Sequence, residues 1–134
     1  MRLFQEVDFK SHSGLDLNWK IECDCISKKE WKCLATMIMD YETRPFCSAV
    51  GIPRGGVILG SYLNLYSTQD YNDPYLIVDD VLTTGGSMDE FADQYFRNKD
   101  IKNGYFGWVV FARNKPQDWV KSLFQMPEKL NGKL

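Results

Sequence analysis

The hydrophobic and polar positions of this chain alternate between two periods. From Ser27 the apolar residues Trp31, Leu34, Ala35, Ile38 and Met39 recur at i, i+3, i+4, i+7 and i+8, which predicts a helix with one buried face. Ser27 followed by Glu30 is a capping-box signature for its start, and Pro45 ends the stretch. Residues 46–51 form a short apolar run that predicts a strand. They lead into Gly51-Ile52-Pro53-Arg54-Gly55-Gly56, a loop by composition. Residues 57–66 read as helical and 67–74 as a polar, turn-rich connection. Residues 75–78 are wholly apolar, as in a buried strand of a parallel sheet. Met88, Phe91, Ala92, Tyr95 and Phe96 restore helical spacing, and Asn103-Gly104 breaks it. Residues 105–112 predict a long apolar strand, Lys115-Pro116 a turn, and 119–124 a short helix.

Strands alternating with loops and helices predict an α/β fold with an open, mostly parallel sheet flanked by helices. One domain is expected over residues 1–134. Residues 27–134 form its core, and 1–26 form a small N-terminal hood of strand pieces capping one end of the sheet. A chain of 134 residues buries about two-thirds of its unfolded surface, enough for a core without staples.

Charge and cysteine content narrow the function classes. Lys and Arg number 16 against 18 Asp and Glu, a net charge of −2, with no basic excess to hold duplex nucleic acid or an anionic membrane. No apolar run approaches the roughly 18 residues of a membrane span, and the N-terminus alternates charge with apolar residues, unlike a signal peptide. A cytoplasmic location is expected. Cysteines at 23, 25, 33 and 47 lack paired zinc-ligand spacing and are expected to be free, small buried hydrophobes. On a strand, Cys23 and Cys25 would share a face. His12, the single histidine, is the only imidazole with which a reactive thiol would pair.

The chemistry concentrates where the 75–78 strand ends. Asp79-Asp80 is followed by Val81-Leu82 and then Thr83-Thr84-Gly85-Gly86-Ser87 at a helix start. In open α/β sheets ligands bind at this edge. Main-chain N–H groups, small hydroxyls and a helix N-terminus make a phosphate cradle. Two adjacent carboxylates accept hydrogen bonds from neighbouring sugar hydroxyls. A phosphate site beside a diol site describes a ribose 5-phosphate. A strand–turn–helix junction with incidental acids is the plain structural alternative.

The thirteen residues 75–87 resemble the motif with which type I phosphoribosyltransferases bind phosphoribosyl pyrophosphate (PRPP). The resemblance implies that Asp79 and Asp80 act in catalysis, and that Thr83, Thr84, Gly85, Gly86 and Ser87 bind the 5-phosphate. It identifies Pro53, Arg54, Gly55 and Gly56 with the family's pyrophosphate loop, with a non-proline cis peptide expected at Arg54–Gly55. It implies Mg²⁺ carried mainly by PRPP and water, without dedicated protein ligands, and a homodimer. Residues 9–24 resemble the base-covering segment of the orotate-specific members. His12, Ser13 and Gly14 would then meet the base, with His12 standing where that family has lysine. Arg113, ending the third core strand, would meet the base from the sheet side. The expected function is transfer of ribose 5-phosphate from PRPP to a nitrogenous base. An orotate-like pyrimidine is favoured, with another pyrimidine, a purine or an unusual heterocycle open. Only 14 residues, 61–74, stand where the family fits a helix, a strand and a mobile catalytic loop. A sensor that binds PRPP or a nucleotide without turnover is therefore the alternative. A third reading is an interaction protein with a vestigial site. Trp119, Leu123, Phe124 and Met126 would serve as core packing or as a dimer surface.

Overall fold

The computed structural model describes residues 2–11 and 14–131. Strands β1 (Phe4–Lys10) and β2 (Asp16–Ile21) pair antiparallel into a separate two-stranded hairpin, the expected hood, with a register shift between Glu6 and Phe9. Phe4 stacks on Trp19 inside it at 4.8 Å between ring centroids.

Helix α1 (Lys28–Tyr41) starts where the capping box places it. The Ser27 hydroxyl accepts from the Glu30 N–H at 3.2 Å, and the Glu30 carboxylate accepts from the Ser27 N–H at 2.8 Å. Four strands follow: β3 (Ser48–Gly51), β4 (Tyr75–Leu82), β5 (Tyr105–Ala112) and β6 (Val120–Gln125). They form one sheet in that order, every pair parallel. Helix α2 (Val57–Leu63) joins β3 to β4, and α3 (Gly86–Phe96) joins β4 to β5.

Each sheet face has its own core. Trp31, Ala35 and Ile38 of α1 and Leu59 and Leu63 of α2 pack on Leu76, Val78, Phe106 and Trp108. Met88, Ala92 and Phe96 of α3 pack on Ile77, Val109 and Ala112. Strand alternation therefore sends neighbouring residues of β4 to different helical layers.

The segment expected to form a helix at 119–124 is the strand β6. Short apolar runs are ambiguous by period alone, and here β5 decides. Its outer edge offers main-chain partners from Gly107, paired with Val120, to Ala112, paired with Gln125. Phe124 stacks on Phe111 at 5.6 Å. Strand β4 also outruns the predicted 75–78, because β5 continues to pair with it as far as Leu82. Asp79 and Asp80 thus lie within the strand. Cys23 and Cys25 sit in a 3₁₀ turn instead of sharing a strand face. Of the four free cysteines only Cys47 is buried; Cys33 is exposed.

The 67–74 connection lies at the N-terminal end of the sheet. Thr68 and Gln69 N–H groups donate to the carbonyls of Phe46 and Cys47, and Cys47 N–H donates to Pro74. The Asn64 amide pairs with both main-chain groups of Ala49 at 2.7 Å and so covers the free edge of β3. Among the described residues no helix is long and apolar enough to cross a membrane.

Candidate functional site

Two loops leave the C-terminal ends of the neighbouring strands β3 and β4, and the two acids of β4 divide between them. Adjacent strand residues point to opposite faces. Asp79, on the α3 side, lines a cleft of about 460 Å³ with Thr83, Thr84, Gly85, Gly86 and Ser87. Asp80, on the α1–α2 side, lines a second cleft of about 480 Å³ with Arg54 and Gly55. The carboxylate pair therefore bridges the two predicted loops.

In the second loop Gly85 has φ +88°, a left-handed conformation that glycine adopts without strain. It precedes α3, whose start has no side-chain cap. The main chain there faces the cleft with α3's dipole behind it. A Cβ on Gly86 would find its nearest neighbour, the Thr84 hydroxyl, at 3.5 Å, so this stretch is open to a ligand.

Three side chains hold the loop from the 113–119 connection. Asn114 donates to Thr83 O at 2.7 Å. Gln117 donates to Gly85 O at 2.9 Å and to the Asp89 carboxylate at 3.0 Å, and Trp119 donates to Asp89 at 3.0 Å. Sequence reading missed Asn114 and Gln117. Their only sequence signal is a polar run after a strand.

The first loop is packed tightly. A Cβ on Gly55 would stand 2.2 Å from Asp80 Oδ2, and one on Gly56 would stand 2.5 Å from Val78 O. The cis peptide is Pro53–Arg54, one bond before the expected Arg54–Gly55. Gly55 is instead the point where main chain passes against the Asp80 carboxylate, which leaves no room for a side chain. Pro53 and Arg54 are exposed at the loop tip. The Cys23 thiol approaches Asp80 from the hood's neck. Burial first and Asp80 second push its pKa well up, so it stays protonated.

Asp79 is 8% exposed. Burial first, and the neighbouring Asp80 charge second, raise its pKa to about 8. One Asp79 oxygen accepts the Asp80 N–H at 2.9 Å, while an Asp80 oxygen accepts the Val81 N–H at 2.7 Å. A buried acid with a raised pKa in a cleft is characteristic of functional sites.

Of the residues expected at the base, His12 and Ser13 lie outside the described residues. Gly14, with φ +85°, is at the exposed tip of the hood hairpin. Phe9 and Ser11, both within the segment that resembles a base cover, line the Asp79 cleft, as does Glu90 of α3, which the sequence did not single out. Arg113 is placed as a clamp. It is buried, with Nη2 donating to Trp19 O and Nη1 to Glu128 O at 3.1 Å. Its guanidinium lies on the Trp19 ring at 3.6 Å. Trp19 Nε1 donates to Pro127 O at 3.0 Å, so Arg113 and Trp19 together fasten hood, sheet and C-terminal segment.

No protein-family model matches the sequence, and a search of curated proteins found no significant relative. Solved structures do match. The crystal structure of orotate phosphoribosyltransferase from Aeropyrum pernix aligns over 92% of this chain and 88% of its own, with TM-score 0.73 and 16% identity. The enzyme of the same name from Francisella tularensis aligns over 92% and 80%, with TM-score 0.62 and 13% identity. The chain carries its glycine-containing loops at the C-terminal ends of adjoining parallel strands and a two-stranded hairpin at its N-terminus, and its fold is that of the type I phosphoribosyltransferases.

Proposed function

We propose that the protein binds PRPP and transfers its ribose 5-phosphate to a nitrogenous base, releasing pyrophosphate. The observation that carries this reading is the division of Asp79 and Asp80 between two adjacent loops. The 5-phosphate would lie on Thr83, Thr84, Gly85, Gly86 and Ser87, held by main-chain N–H groups and the α3 dipole. The ribose hydroxyls would donate to Asp79 and Asp80. The pyrophosphate would lie by Pro53, Arg54, Gly55 and Gly56. As the bond to pyrophosphate breaks, positive charge develops at the ribose C1, and the two carboxylates stabilise it. Hydroxyl donors favour the ionised acid; substrate binding thus draws Asp79 toward the form the reaction needs.

Among the described residues no group of three or more His, Cys, Asp or Glu is placed to hold a metal. The oxygen chemistry of Asp80, beside the first loop, suits Mg²⁺ arriving on PRPP. When bound, that ion would neutralise pyrophosphate charge. The likeness in fold to orotate enzymes supports a pyrimidine ring as the base.

Calorimetry with PRPP and Mg²⁺ tests the site. Wild type is expected to bind, and the double variant Asp79→Asn with Asp80→Asn to lose at least a hundredfold in affinity while staying folded. Retained affinity in the double variant would sink the ribose assignment.

A second reading, a PRPP or nucleotide sensor, is favoured by one observation. The 67–74 connection is tied to the far end of the sheet, away from both loops, where it cannot close over a reacting centre. Pyrophosphate release over a panel of bases separates the two. Turnover with any base means a transferase, and binding without turnover means a sensor.

A further inference from the structure

We propose that the base taken by this site is uncharged, so that the protein distinguishes a neutral heterocycle from one bearing a carboxylate. This inference rests on the ribose 5-phosphate reading above and adds the charge class of the base.

A carboxylated base buried in a cleft needs a cation or aimed donors to replace water. Arg113 is the cation that the sequence offers at the sheet edge, and the fold has already engaged it. It is 4% exposed, and both terminal nitrogens donate to main-chain carbonyls, those of Trp19 and Glu128. One face is covered by Trp19 at 3.6 Å, and the Phe9 ring centroid is 5.5 Å away. Among the described residues no buried side-chain nitrogen or oxygen lacks a partner. Releasing Arg113 toward a ligand would unfasten the hood from the sheet.

The cleft itself is acidic. Its described lining includes Asp79 and Glu90 and no lysine or arginine. The other arginine of the site, Arg54, lies in the Asp80 cleft, where the pyrophosphate would be. The 5-phosphate has the main-chain N–H groups and the α3 dipole to meet it, whereas a base carboxylate would enter beside Glu90 and an Asp79 that the ribose hydroxyls draw toward its ionised form, with no counter-charge among the described residues. An uncharged ring avoids that repulsion. Phe9, reaching into the same cleft from the hood, supplies an aromatic face for it.

Nucleoside monophosphates test this on the full chain, because they carry the ribose 5-phosphate and differ only in the base. Calorimetry at pH 7.5 would compare ribose 5-phosphate, uridine 5′-monophosphate and orotidine 5′-monophosphate. The uridine nucleotide is expected to bind at least tenfold tighter than the orotidine nucleotide. Equal or tighter binding of the orotidine nucleotide would overturn the proposal while leaving the function reading intact. Failure of all three to bind would overturn that reading, and this inference with it. A second arm uses Arg113→Gln. The variant is expected to melt earlier than wild type and to keep the uridine-to-orotidine affinity ratio. A loss confined to the orotidine nucleotide would show that Arg113 meets the base and would also overturn the proposal.

Discussion

Asp79 and Glu42 are nearly equally buried, at 8% and 6% exposure, yet their proton affinities move in opposite directions. Burial acts on both to raise the pKa. At Glu42, hydrogen bonds outweigh it. Its carboxylate accepts from Trp108 Nε1 at 3.0 Å, from the N–H groups of Thr43 and Arg44 at 3.0 and 3.1 Å, and from the Arg44 guanidinium at 3.4 Å. The Lys121 ammonium lies 3.7 Å away. The net result is a pKa below the usual range. At Asp79 burial is reinforced by a second acid, and the value rises to about 8. Glu42, beyond the end of α1, is a scaffold carboxylate that the fold has satisfied. Asp79 is a cleft carboxylate that the fold leaves short of donors, which suits the role of receiving ligand hydroxyls proposed for it.

The largest effect expected from breaking this contrast is at Glu42. Glu42→Ala would leave the Trp108 N–H buried and unpaired and should cost about 3 kcal/mol, read as a lower urea midpoint. The wild-type Glu42 contribution is present above the ordinary glutamate pKa and is lost as pH falls through its lowered value.

Asp79→Asn should act the other way. A raised folded pKa means that the fold prefers the protonated acid, so stability is highest in acid and declines as pH rises from about 4 toward 8. Removing the charge should therefore stabilise the ligand-free protein at pH 8 by roughly 2 kcal/mol, and by little at pH 4. Thermal melts at the two pH values check this. Equal shifts at both would refute the assignment.

The loop facing Asp79 gives two smaller tests. Gly85→Ala forces a side chain into φ +88° and against Gln117, and should cost about 1–2 kcal/mol. Gly86→Ala meets nothing closer than 3.5 Å and should leave stability within about 0.5 kcal/mol while weakening ribose 5-phosphate binding. Unchanged binding in Gly86→Ala would mean that the phosphate does not approach the main chain there.

Much of this molecule is written locally. The Ser27–Glu30 capping box, the i, i+3, i+4 faces of α1 and α3, and the apolar runs of β3, β4 and β5 are set by short-range chemistry that side-chain order alone expresses. The two loops were legible for the same reason. Consecutive acids, glycines and hydroxyls at strand ends leave few structural uses besides ligand binding.

What tertiary structure decided depends on partners distant in sequence. Val120–Gln125 became a strand because β5 presented an unpaired edge, which the segment's own ambiguous period did not disclose. Arg113 became a clamp because Trp19, 94 positions away, brought a carbonyl and a ring to it. Glu42 found Trp108 across 66 positions. Local sequence can name a residue's chemistry; only packing determines whether that chemistry is consumed within the fold, as at Glu42 and Arg113, or left facing a cleft, as at Asp79.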